Sequence, residues 1–148
     1  MKKFILAMAA LTFSFGVMSA QDLASATATY NSGAEALTMG NKTSALEYFQ
    51  KALTMAESLG EEGAEVATNC KNAIPSVILS IGKEFYNNKD FSNAKAKFVE
   101  AAEVAKKYGN EEVTAEVESL LPTVGKRIAL AKVNEAMKSK DIAGVLAG

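Results

Sequence analysis

Ala45-Leu46-Glu47-Tyr48-Phe49-Gln50-Lys51-Ala52 and Ala94-Lys95-Ala96-Lys97-Phe98-Val99-Glu100-Ala101 share one pattern: an alanine, a phenylalanine four residues on, and an alanine three residues after that. The second copy begins 49 positions after the first, counted from Ala45 to Ala94. Each follows a turn signal, Gly40-Asn41-Lys42 in one case and Lys89-Asp90-Phe91 in the other. Steps of three and four place these residues on one face of a helix. Recurrence at fixed spacing is the signature of stacked helix pairs that bury their apolar faces against their neighbours.

The flanking sequence extends the duplication to whole helices. Leu23, Ala26, Tyr30, Ala34 and Leu37 predict a helix from about Asp22 to Met39, ended by Gly40-Asn41. Thr43 or Ser44 is the expected cap of the next helix, whose stripe is Ala45, Leu46, Phe49, Ala52, Leu53 and Ala56, stopping near Leu59-Gly60. So short a connection makes the two helices antiparallel neighbours. From Glu61 the apolar positions Val66, Cys70, Ala73, Val77, Ile81 and Phe85 continue the pattern, and Pro75 predicts a kink or a new helix start.

After Asn88-Lys89-Asp90 the stripe Phe91, Ala94, Phe98, Ala101, Ala105 and Tyr108 runs to Gly109. Val113, Val117, Leu120, Val124, Ile128 and Ala131 then reproduce the long helix, with Pro122 placed much as Pro75 is. A third turn is expected at Lys140-Asp141-Ile142, opening a short last helix with Ile142, Val145 and Leu146. That stub caps the array, continues in a longer chain, or pairs with a second copy. No segment alternates with period two, so the fold class is all-α, with about five helices and a short C-terminal one.

The first twenty residues read as an export signal: Lys2-Lys3, an apolar run from Phe4 to Met18, and small Ser19-Ala20 before Gln21. The run is short for a bilayer span, which takes roughly 20 apolar residues, and no basic stop-transfer cluster follows it. No cysteine stands near the cleavage point to take a lipid. The expected address is therefore the periplasm or the exterior. Residues 21–148 are expected to form one domain, with repeats near 22–59, 61–108 and 110–148, the last incomplete.

Removing Lys2 and Lys3 from the 16 basic residues leaves 14 against 17 acidic ones, a net of about −3. Nucleic acid requires a basic face with counterions to release, and Lys106-Lys107 and Lys126-Arg127 read as solvated helix surface instead. Cys70 is the one cysteine, so no internal disulfide forms, and its apolar register makes it a small hydrophobe.

Together these residues resemble the tetratricopeptide repeat, a pair of antiparallel helices of roughly 34 residues with small, aromatic and small residues in the second helix. Ala45-Phe49-Ala52 and Ala94-Phe98-Ala101 match that pattern, and Gly33 and Gly82 fall where the first helix has its small residue. Phe85, three residues after Gly82, matches the family's aromatic; Ala36 stands at that place in the first repeat. The 49-residue period is longer than the family's, and the proline that usually follows the second helix is missing from both units. The resemblance implies a right-handed α-solenoid of antiparallel helix pairs whose first helices line a concave face. Carried over by register, that face holds Tyr30, Asn31, Leu37, Leu79, Lys83, Tyr86, Asn87, Asn134, Met137 and Lys138. A plain helical bundle would show the same stripes without a concave face.

Chemistry is sparse. Histidine, the commonest general base and metal ligand, is absent from the sequence. Glu61-Glu62 and Glu111-Glu112 open helices, where the dipole favours negative charge. No phosphate loop, paired cysteines, nucleophile motif or calcium loop is present, so neither enzyme activity nor a cofactor or metal is expected. The expected function is an exported, non-catalytic scaffold that holds another envelope protein or peptide segment. A homodimer through the C-terminal helix is the alternative, followed by a carrier for a small apolar ligand.

Overall fold

The computed structural model describes the backbone of residues 2–147 and the side chains of residues 20–140, 144 and 146. It is all-helical: α1 (Lys2–Thr38), α2 (Lys42–Ser58), a 3-10 turn (Gly60–Gly63), α3 (Ala64–Asn87), α4 (Phe91–Tyr108) and α5 (Glu111–Ala147). No strand occurs among the described residues, and no helix there is long and apolar enough to cross a membrane. The chain divides within α3 into two compact units, 1–77 and 78–148.

In the first unit α1 and α2 form a helical hairpin. Its contact is built around Phe49, which lies against Gly33: a Cβ on that glycine would stand 2.8 Å from the phenylalanine ring. Tyr30 adds its ring to Phe49 at a centroid distance of 5.2 Å. The second unit repeats the arrangement 49 residues later. Phe98 of α4 covers Gly82 of α3, where a Cβ would stand 2.7 Å from the ring. Both phenylalanines are buried, as are Ala45, Ala52 and Ala56 on α2 and Ala94, Ala101 and Ala105 on α4. Small residues let backbones approach, and the large ring fills the space this leaves.

The turns repeat as well. Helix α1 ends with Asn41 N–H donating to the Ala36 carbonyl at 2.9 Å, and α3 with Asp90 N–H donating to the Phe85 carbonyl at 2.9 Å. This six-residue closure needs a left-handed residue, Gly40 at φ 79° in the first turn and Lys89 at φ 62° in the second. The next residue then caps the following helix: Asn41 accepts from Ser44 N–H and Asp90 from Asn93 N–H. The cap of α2 is thus Asn41, not Thr43 or Ser44, because the tight turn brings the Asn41 side chain over the first free amides. Gly109-Asn110 closes α4 and caps α5 in the same way, with Val113 N–H donating to Asn110 Oδ1 at 3.1 Å.

A left-handed lysine costs about 1 kcal/mol that glycine does not incur. Lys89→Gly is therefore expected to raise stability by about 0.5–1 kcal/mol in urea titration. A loss would mean that the lysine stem contributes more by packing than its backbone costs.

Three boundaries differ from the sequence expectation. Helix α1 runs through Asp22 without a break from Lys2. Of the two outcomes expected at Pro75, a kink or a new helix start, the new start does not occur: α3 passes through Pro75, and α5 passes through Pro122. Burial of Ile74, Val77 and Ile78 around Pro75 offsets the missing backbone bond. Finally, Lys140-Asp141-Ile142 is helical, so α5 continues to Ala147 and the separate C-terminal helix does not exist. The reversal at Lys89 is stabilised by Phe98 seating on Gly82. Its counterpart, 49 positions beyond Phe98, is Ala147, which has no ring to seat. The side chains of Ile142 and Val145, offered as a dimerising surface, lie outside the described residues.

Candidate functional site

The second unit carries an open groove of about 440 Å³ between the α3–α4 turn and the C-terminal half of α5. Tyr86, Asn87, Lys89 and Phe91 form one wall. Arg127, Leu130, Ala131 and Asn134, spaced by one helical turn at a time, form the other. The Tyr86 and Phe91 rings meet edge to face at 5.3 Å, a preferred aromatic geometry that holds both in place. Among the described residues, neither Lys89 nor Arg127 forms an ion pair and no acid lines the groove. The groove is therefore an amphipathic channel with two amides and two cations at its rim.

Of the ten residues expected on the concave face, Tyr86, Asn87 and Asn134 are brought together here. Asn134, Met137 and Lys138 are exposed on α5, and Asn31 and Leu37 on α1. Tyr30 is half-buried against Phe49. Leu79 has to be corrected: only 4% exposed, it is a core residue, since it lies one turn before Gly82. Lys83 is exposed, but its ammonium pairs with Glu116 of α5 and is thereby already engaged.

Lys89, Phe91, Arg127, Leu130 and Ala131 were not among the expected residues. The α5 members sit at three- and four-residue steps from Asn134, so the helical register contained them. Lys89 and Phe91 belong to the turn, where a repeat register assigned from the first helices does not reach.

A second hollow, also about 440 Å³, lies at the α4–α5 turn. Four of its polar side chains are engaged internally: Asn110 caps α5, the Thr114 hydroxyl donates to the Asn110 carbonyl at 2.8 Å, and Lys106 pairs with Glu118 at 3.2 Å. It is the inside of a turn. Among the described residues, no three acids or cysteines converge as a metal site.

Cys70 is fully buried and unbonded, and burial pushes its thiol up from the ordinary value near 9.0 to about 11. Between those values the unfolded thiol ionises while the folded one does not, so stability falls as pH rises from about 9 to about 11. Comparison with Cys70→Ala isolates this share, on the order of 1–3 kcal/mol by pH 11. At neutral pH, modification by a disulfide reagent is expected to be as slow as unfolding and immediate in denaturant. Rapid native labelling would contradict the burial.

No family model, no curated protein and no solved structure matches the chain.

Proposed function

We propose that this protein is an exported, non-catalytic scaffold of the tetratricopeptide kind, which holds a segment of another envelope protein on the face of its first helices. One observation carries the reading: the 49-residue repetition recurs as geometry, with the same left-handed turn, the same asparagine or aspartate cap and the same glycine under the same phenylalanine. Repetition at that level of detail favours an array of equivalent hairpins over a bundle whose helices each fit one central core. The groove at Tyr86, Asn87 and Asn134 supplies contact area from an aromatic pair and hydrogen bonding from amides, a composition suited to recognising a protein segment.

Export makes a direct prediction. Mass spectrometry of the protein recovered from the envelope fraction is expected to show a chain beginning at or next to Gln21. Recovery of a chain that retains residues 2–20 would remove the export reading.

For binding, the purified mature protein is used to capture partners from an envelope extract, alongside a Tyr86→Ser, Asn87→Asp, Asn134→Asp variant. The expected result is a protein retained stoichiometrically by the wild type and lost roughly tenfold or more from the variant. Capture of nothing, or capture indifferent to the three substitutions, overturns the scaffold reading of this groove.

A further inference from the structure

Residues 126–140 of α5 contain Lys126, Arg127, Lys132, Lys138 and Lys140 against Glu135 alone, a net of +4 in a chain whose total is −1. Every residue from Ala129 to Lys140 is exposed, and none of the five cations forms an ion pair among the described residues. Leu130, Val133 and Met137 are 52%, 54% and 58% exposed. At 3.6 residues per turn these three fall within an arc of about 60°. Arg127 and Lys138 flank the arc on the groove side, Lys140 lies on the other side, and Lys126 stands at its N-terminal end. Lys132 points to the back of the helix.

We propose that this stripe, together with the groove beside it, is a docking site for an acidic amphipathic helix of the partner. The inference rests on the scaffold reading and specifies what the partner presents: apolar residues one turn apart to cover Leu130, Val133 and Met137, with carboxylates on the flanks to meet Lys89, Arg127 and Lys138. Three physical arguments select this occupant.

A second copy of the chain would set one +4 segment against another. Packed helices lie roughly 8–10 Å apart, about one Debye length at physiological salt, so the repulsion is only partly screened. An anionic lipid surface would accept the charge. However, α5 contains no tryptophan, tyrosine or phenylalanine to anchor at the interface, and the aromatic pair Tyr86–Phe91 forms the wall of a concave groove. Helix-in-groove binding uses apolar anchors at steps of three, four and seven, the spacing that Leu130, Val133 and Met137 offer.

The test uses a fluorescein-labelled model peptide of about 18 residues, roughly five turns, with leucine on one face and glutamate on both flanks. Its controls are the same peptide with lysine for glutamate, and phosphatidylglycerol vesicles. The expected result is saturable binding of the acidic peptide that weakens at about 0.3 M salt. Binding is expected to fall roughly tenfold or more in Arg127→Glu/Lys138→Glu and in Val133→Asp, and to stay within about twofold in Lys132→Glu.

No saturable binding, equal binding of the basic peptide, stronger association with the vesicles, or a concentration-dependent dimer abolished by Val133→Asp would each overturn the proposal. Envelope capture that survives Val133→Asp would retain the scaffold reading and remove this one, so the two fail separately.

Discussion

Phe98→Ala is expected to lower the unfolding free energy by about 3–5 kcal/mol, a large share of the roughly 5–15 kcal/mol that holds a domain of this size together. The ring is almost fully buried and lies on Gly82 at a distance that leaves no room for even one added carbon. Its removal leaves a void that the flanking alanines at 94, 101 and 105 are too small to fill. The converse change, Gly82→Ala, is expected to cost about 1–3 kcal/mol through overpacking.

Because both substitutions act on one contact, their costs should not add. In the double variant the new methyl enters the space that the ring vacated, so the loss is expected to fall at least about 1 kcal/mol short of the sum. Urea titration of the four proteins measures it. Simple additivity would mean that Phe98 and Gly82 do not share an interface, and the hairpin built on them would have to be redrawn. Phe49 and Gly33 repeat the geometry in the first unit and should repeat the result.

Gly63→Ala is the second large effect. A Cβ at this position would stand 2.1 Å from the carbonyl oxygen of Ala56 and 2.8 Å from its carbon, so the obstacle is backbone and cannot turn aside. The 3-10 turn crosses the end of α2 at this point, and the added methyl would push the start of α3 away from it. The expected cost is about 3 kcal/mol, at the upper end of overpacking penalties.

Gly60, three residues earlier, separates this effect from the cost of backbone conformation. Its φ of 60° disfavours alanine, yet nothing lies within 4 Å of an added Cβ. Gly60→Ala should therefore cost only about 1 kcal/mol. If the two glycines ranked in the opposite order under thermal or urea unfolding, conformational strain rather than close approach would govern this junction.

The stripe through Ala45, Phe49 and Ala52 and its copy through Ala94, Phe98 and Ala101 were legible because helical periodicity is a local property that three or four residues establish. The turns at Gly40 and Gly109 were legible for a similar reason, since glycine there permits a left-handed backbone. Lys140-Asp141 misled because it copies Lys89-Asp90 in residue type. A lysine enters the left-handed region only where packing further along the chain stabilises the reversal, and that packing is not encoded in the two residues themselves. At Pro75 the sequence left a kink or a new helix start open, and only the new start is ruled out, since α3 runs through it; the apolar residues that offset the proline's local cost are identified only by their burial.

The candidate site was half visible. Tyr86, Asn87 and Asn134 followed from a register of first helices, whereas Leu79 and Lys83 of the same register turned out to be core and ion-paired. Register assigns a face to each residue. Whether that face meets a neighbour, and whether a charge on it finds a counter-ion, depends on groups far away in the chain, such as Glu116 for Lys83.

By itself, then, the amino-acid order determined the helical class, the 49-residue duplication and the residue types at the helix contacts, all of which arise from interactions within a few turns of chain. Tertiary structure alone decided where helices end against a weak turn signal, which amides and lysines remain free, and how the α3–α4 turn and α5 enclose a groove. Those outcomes compare the local preference of a few residues with the burial energy of side chains distant in sequence. In this protein the distant term is the larger.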